Sequence, residues 1–270
     1  MDSSAAGSAV LVVGGTGYIG RFVAEAAIAS GLTTFVLVRP FHGRACPSRL
    51  AALRHRGAII LEGSAADREF VEKTLRENGI DVVVSAVGGG SILDQLSLLD
   101  AVRAAGTVKR FLPSEFGHDI DRANPVEPGL SFYKEKRRIR RAVEAAAVPY
   151  TYICCNSIAG WPYHDNTHPS EALPPVDRFV IYGDGSMRAY FVAGCDIGKF
   201  TIRAAFDPRT LNKSVHFRPT CNFINLNEMA SLWETKIGFT LPRIKLSEHD
   251  LLALAQGLFI YLFNYFYYSK

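Results

Sequence analysis

An apolar run, Val10-Leu11-Val12-Val13, leads without a break into Gly14-Gly15-Thr16-Gly17-Tyr18-Ile19-Gly20, and the helix-like stretch Arg21–Ile28 follows. A strand that ends in a glycine-rich turn and opens a helix constrains this chain more than any other feature. Glycines there let the backbone approach a pyrophosphate, which rests on the helix N-terminus where N–H groups and the dipole favour negative charge. A second strand, Thr33–Val38, closes a βαβ unit and supplies the context that a bare glycine pattern lacks. It ends in Arg39, where an NAD-preferring site would place an acid for the ribose 2′-hydroxyl. An arginine suits a 2′-phosphate, so the expected cofactor is NADPH. Gly14, Thr16, Gly17, Tyr18, Ile19 and Gly20 form the expected cofactor turn, and Arg39 the phosphate contact. Arg44 and Arg49 are further candidates in and beside the loop that follows.

Strand and helix signals then alternate. Helix Arg49–Arg56 precedes strand Ala58–Leu61, and a helix from Asp67 to Asn78 precedes strand Asp81–Val87. Helix Leu93–Ala105 leads to strand Arg110–Leu112, and helix Ser131–Ala147 to strand Tyr150–Cys155. Strands nearly continuous in Val, Ile and Leu and separated by helices predict an α/β fold, a Rossmann-like doubly wound parallel sheet covered on both faces. After Asn156 the pattern changes: Pro162, Pro169, Pro174 and Pro175 crowd a stretch rich in aromatics and histidine. Strand candidates Phe179–Tyr182 and Val215–Phe217 flank the turn signal Gly183-Asp184-Gly185-Ser186. The expected organisation is a cofactor domain over 9–157, a smaller, incomplete substrate lobe over 158–256, and an aromatic tail over 257–270.

The 270 residues are 48% hydrophobic and 21% charged, ordinary for a soluble globular chain, and a net charge of +4 gives no support for nucleic-acid binding. Five cysteines lack paired metal-ligand spacing, and Cys154-Cys155 read as reduced core residues. His164 and His168 lie among prolines and do not read as a zinc pair; no metal is expected. The first eight residues have neither a basic nor an apolar signal region, so the expected location is cytoplasmic. Leu251 to Tyr268 carries no charge and is long enough to raise a membrane anchor, but Gln256, Asn264 and the density of aromatics argue against one.

Ligands of an open α/β sheet bind beyond the carboxyl ends of its strands. Gly88-Gly89-Gly90 follows one such end and allows a cofactor close approach, with Gly88 the candidate contact. Pro113–His118 follows another. Asn156 follows a third, where its amide reads either as a hydrogen-bonding partner of the nicotinamide or substrate or as a turn cap. On helix Ser131–Ala147, Tyr133 and Lys136 are three apart and share one face, which Ile139, Val143 and Ala146 continue towards the sheet. A partly desolvated Lys136 would have its amine pKa lowered towards the range of a general base; the alternative is a snorkelling surface lysine. His118 is a second proton-transfer candidate. Lys134, Arg137, Arg138, Arg140 and Arg141 read mostly as a solvated basic surface. Short-chain reductases typically carry Tyr-x-x-x-Lys, but the residue four after Tyr133 is Arg137, so Lys136 is favoured over tyrosine as the primary proton-transfer group.

The Gly14–Gly20 turn, the segment Arg110–Gly117 and the helix around Lys136 resemble the isoflavone reductase-like, NmrA-type branch of the atypical short-chain reductases. Ile153–Ala159 and the run Asp119–Pro128 are similar to the members of that branch that reduce flavan-3,4-diols, and the resemblance runs from about Val10 to Gln256. It implies NADPH-dependent reduction of a flavan-3,4-diol to a flavan-3-ol through a quinone methide. Lys136 would be the base, His118 would assist loss of the benzylic hydroxyl, and Tyr133 would hold the small-molecule flavonoid. A related benzylic ether or isoflavonoid reductase and a non-catalytic NADPH-binding regulator are the competing readings. Members of the branch continue several tens of residues further and carry a C-terminal Thr-His-Asp motif absent here. On that basis NADPH binding is expected to survive and turnover to be weak or lost.

Overall fold

The computed structural model describes residues 7–40, 47–160, 173, 174 and 176–254. Arg44, Cys46, His164, His168 and the whole 257–270 tail lie outside the described residues. Five parallel strands, β1 (Ala9–Val13), β2 (Thr33–Val38), β3 (Ile59–Glu62), β4 (Ile80–Ser85) and β5 (Arg110–Leu112), form a sheet in the order β3-β2-β1-β4-β5. A parallel bridge from Phe111 to Tyr150 carries the edge on to β6 (Thr151–Cys154). The helices between are α1 (Tyr18–Ala29), α2 (Pro47–His55), α3 (Arg68–Glu77), α4 (Gln95–Ala105) and α5 (Gly129–Ala145). Expected and observed elements differ by a few residues at their ends. The largest shift is at α1, which begins three residues early because the turn itself closes into the helix.

All five residues of β1 are buried, which is why its sequence is apolar throughout rather than alternating. Side chains of successive residues point to opposite faces. Val10, Val12, Val36 and Val84 accordingly pack on one face with Val23 and Ala27 of α1. Leu11, Val13, Leu37 and Val83 pack on the other with Leu75, Leu98, Val102, Ile139 and Val143 of α3, α4 and α5. The doubly wound arrangement expected from the alternation is the one observed.

The second half is not one contiguous lobe. Helix α6 (Gly194–Phe206) and strand β10 (Lys213–His216) return to the sheet: β10 pairs in parallel with β6, and Ile197, Ile202, Ala204 and Ala205 join the core under α1. The expected boundary of 158–256 therefore includes a stretch packed on the first unit. Glycine makes that packing possible. A Cβ on Gly198 would lie 2.2 Å from the carbonyl oxygen of Phe22, so the two helices approach closer than any side chain would allow.

What remains is small. Strands β7 (Ser157–Ile158), β9 (Ala189–Val192) and β11 (Phe223–Ile224) form one short sheet, ordered β11-β9-β7, and β8 (Phe179–Tyr182) pairs in parallel with β12 (Arg243–Leu246). Helix α7 (Leu226–Ile237) covers β8, burying Phe179, Ile181, Ala230 and Leu241 together. Its start is set by a capping box in which Asn225 and Glu228 each accept from the other's backbone N–H. Among the described residues no helix is long and apolar enough to cross a membrane.

Candidate active site

A cavity of about 1160 Å³ opens beyond the carboxyl ends of β1, β4, β5 and β6. Its wall on the sheet side holds Gly17, Tyr18 and Ile19 of the first turn and Gly88 and Gly89 after β4. Glu115 to His118 lie after β5, Tyr133 and Lys136 on α5, and Asn156 after β6. Its far wall comes from the second unit, with Phe179, Met187, Phe191, Met229 and Trp233. Gly17, Gly88, Glu115 and Asn156, far apart in sequence, line the same wall because parallel strands deliver all their carboxyl ends to one edge.

The turn has the shape a pyrophosphate needs. Gly14 has φ +81°, Gly17 donates its N–H to the Gly14 carbonyl at 2.9 Å, and a Cβ on Gly20 would sit 2.1 Å from that same carbonyl oxygen. Helix α1 therefore starts pressed against the turn, with no acidic residue in its first turn and no side chain capping it. Such an end presents N–H groups and a positive dipole to an anion. Gly14, Thr16 and Gly20 shape the turn from behind, while Gly17, Tyr18 and Ile19 face the cavity. Arg39 is exposed at the end of β2. Arg49, expected as a further phosphate contact, donates to the Thr16 carbonyl at 3.0 Å, a bond that braces the turn.

The chemistry-bearing side chains converge on the segment after β5. Lys136 Nζ donates to the Glu115 backbone carbonyl at 2.7 Å and lies 5.1 Å from the Phe132 ring centre. Burial pushes its ammonium below the ordinary lysine range, and the nearby Glu115 carboxylate acts in the opposite direction. His118 Nδ1 and the Tyr133 hydroxyl are 3.2 Å apart. Burial and then the positive Lys136 hold the imidazole below its usual pKa, while burial and then Glu115 raise the Tyr133 phenol. At neutral pH both are uncharged. Ser114 secures the floor: its hydroxyl donates to the Val87 carbonyl at 2.6 Å, and its N–H donates to the buried Gln95 side chain at 2.7 Å.

Asn156 adopts a left-handed backbone with φ 60°, and its amide N–H donates to the Phe217 carbonyl at 2.9 Å. One of its donors is thus turned to β10's exit, and the residue also borders the cavity.

One expectation is corrected outright. Arg140, read as surface, is 1% exposed. Its guanidinium makes a two-pronged pair with Glu115, at 3.0 Å and 2.8 Å, and reaches Asp119 at 2.7 Å and Asp121 at 3.0 Å. Arg137 also turns inward, donating to the carbonyls of Ile120 and Ala123. Helix spacing carried the signal: Arg140 is four residues after Lys136 and adjoins Ile139 and Val143 on the buried side. Composition alone hid it, because a run of cations ordinarily faces water. Lys134 and Arg138 do lie exposed, as does Arg141, which pairs with Asp121 and Glu144. Cys154 and Cys155 are buried free thiols, each pushed up to about 12 by burial.

Comparison with known proteins agrees with this architecture. The NmrA-like family model matches residues 6–264. Leucoanthocyanidin reductase of Desmodium uncinatum is 57% identical over 248 residues, covering 91% of this chain and 64% of that protein. The phenylcoumaran benzylic ether reductase Pyrc5 of Pyrus communis is 45% identical over 247 residues, covering 91% of this chain and 80% of the relative. The solved binary complex of leucoanthocyanidin reductase with NADPH from Vitis vinifera superposes with a TM-score of 0.83 at 57% identity, covering 91% of this chain and 80% of that one. This chain thus spans just under two thirds of the Desmodium enzyme. With the family match running over nearly its whole length, the chain belongs to the NmrA-like family.

Proposed function

We propose that this chain binds NADPH and reduces a flavan-3,4-diol such as leucocyanidin to a flavan-3-ol such as catechin. The observation that carries the reading is the meeting of Lys136, His118 and Tyr133 with the glycine turn in one cavity. The 57% identity to a leucoanthocyanidin reductase supports the substrate class.

The glycine cradle, with Gly20 where a Cβ would strike backbone, fits a dinucleotide. Gly14, Thr16, Gly17, Tyr18, Ile19 and Gly20 would receive the pyrophosphate, Arg39 the 2′-phosphate, and Gly88 the ribose and nicotinamide side. NADPH, when bound, supplies a hydride. The protein's own groups make the acceptor for it. Lys136, as the neutral amine, takes the proton of an A-ring phenol. Electron density released from that oxygen expels the benzylic C4 hydroxyl, which departs with the help of a hydrogen bond from His118 and takes a proton from solvent, so that water leaves and a quinone methide remains. With C4 reduced and the aromatic ring restored as a phenolate, the Lys136 ammonium would return its proton to that oxygen. Tyr133 orients the substrate; its hydroxyl lies 3.2 Å from Nδ1, and by donating there it would leave the His118 N–H on Nε2, facing the leaving group. Asn156 uses one amide N–H on the Phe217 carbonyl and borders the cavity, where the rest of its amide would meet the nicotinamide or the substrate.

The direct test is incubation with leucocyanidin and NADPH, with chromatographic detection of catechin. Catechin formed in step with NADPH oxidation, even at a slow rate, is expected, and NADPH binding without any product would overturn the catalytic reading. For the cofactor, Arg39→Ser should weaken NADPH about tenfold or more and leave NADH nearly unchanged, because a charged hydrogen bond contributes about 1.5–3 kcal/mol. Titration of both nucleotides checks this. Equal losses for the two would remove Arg39 from the 2′-phosphate.

A further inference from the structure

We infer that Arg140 is a positioning residue for Lys136: by locking the Glu115 carboxylate in a buried two-pronged pair, it fixes both the orientation and the electrostatic surroundings of the amine. The inference rests on the proposed role of Lys136 as base. Glu115 is held twice from one helix, through its carboxylate by Arg140 and through its backbone carbonyl by Lys136, one turn earlier. Both partners of the ion pair are 2% exposed at their side chains. Arg140 also grips Asp119 and Asp121, so its bonds fall on both sides of His118 and pin the segment that carries it. The guanidinium lies 4.6 Å from the Tyr152 ring centre, and His216 closes on Asp119 from β10 at 3.5 Å. Among Asp119, Cys154 and His216, three groups of metal-ligand type, Arg140 already bonds the carboxylate and lies 3.7 Å from the thiol sulfur. That arrangement is an anchored cation rather than a metal centre.

The groups facing the Lys136 amine are few. Glu115 and His118 come from the segment after β5, Cys154 and Cys155 from the end of β6, and Tyr133 and Arg140 from α5 itself. The thiols, the phenol and the imidazole are uncharged at neutral pH. The charges that act on the amine are therefore one carboxylate, which stabilises its ammonium form, and one guanidinium, which opposes it. Removing Arg140 leaves the carboxylate unopposed, and removing the Glu115 charge leaves the guanidinium unopposed. The two changes must move Lys136 in opposite directions, and removing both must largely cancel.

A packing role alone predicts no such opposition. The test is NMR titration of Lys136 in 15N-lysine-labelled protein, with its signal assigned by its loss in Lys136→Met, and the pH profile of NADPH-dependent product formation alongside. Arg140→Met should raise the Lys136 midpoint by about one pH unit, and Glu115→Gln should lower it by about as much. The double variant Glu115→Gln/Arg140→Met should titrate beside the unmodified chain, with the alkaline rise in kcat/KM following each midpoint. If Arg140→Met does not fold, the downward shift in Glu115→Gln and its reversal in the double variant decide the matter. Single variants that leave the midpoint in place, or move it the same way, overturn the inference. The titration needs no substrate. Midpoints that move as stated while no catechin forms would overturn the proposed reaction and leave the network standing, and catechin formed with fixed midpoints would do the reverse.

Discussion

Replacing Lys136 by methionine is expected to lower NADPH-dependent product formation by about 100- to 10,000-fold while leaving NADPH affinity near that of the unmodified chain, the usual loss when one general base is removed. Methionine keeps most of the side-chain volume beside Phe132 but neither accepts a proton nor donates to the Glu115 carbonyl. The pH dependence has a defined sign. The amine must be neutral to act as a base, and burial lowers its pKa, so the active form becomes dominant at a lower pH than a free lysine would allow. The ratio kcat/KM should therefore rise with pH to a plateau, with its midpoint below the ordinary lysine value, and that rise should vanish in Lys136→Met. A variant that retains the rate, or retains the same limb, would assign the proton transfer to another group.

The second large effect is expected at Gly20. In Gly20→Ala the new Cβ would lie 2.1 Å from the Gly14 carbonyl oxygen, 2.7 Å from its carbon and 2.9 Å from the Gly15 Cα. All three are backbone atoms, so no rotamer change relieves the overlap and the turn must open away from α1. Losing two backbone donors to a charged pyrophosphate corresponds to at least about 3 kcal/mol, or a hundredfold or more in NADPH affinity. Calorimetric titration measures it directly. Unchanged affinity would mean that the pyrophosphate binds elsewhere than on this turn.

The two predictions draw on features of different legibility. Gly20 was readable in sequence because strand, glycines and helix are contiguous, and the chemistry of that turn is local: it depends on backbone conformation within a dozen residues. Lys136 was readable as a candidate because helical spacing places it on the face shared with Ile139 and Val143. Its partner was not. Glu115 lies 21 residues away, and no periodicity links a loop after one strand to a helix before the next. Arg140 was misread for a related reason: four neighbouring cations mask the one that is buried, and only its three carboxylate partners make that burial affordable. Helix α6 was missed because prolines and aromatics upstream dominate the pattern, although its small residues at 194 and 198 are what lets it dock on α1.

From sequence alone came the elements whose causes are local: the strands of the parallel sheet, the helices between them, the cofactor turn, and Lys136, Tyr133 and His118 as the residues to watch. Tertiary structure decided which of them meet. It returned α6 and β10 to the first unit, turned the Asn156 amide towards Phe217, braced the turn with Arg49, and buried Arg140 against Glu115, Asp119 and Asp121. The reason is physical. Backbone propensity and hydrophobic period act over a few residues and are written along the chain, whereas a desolvated ion pair is stable only where distant segments supply its partner and exclude its water.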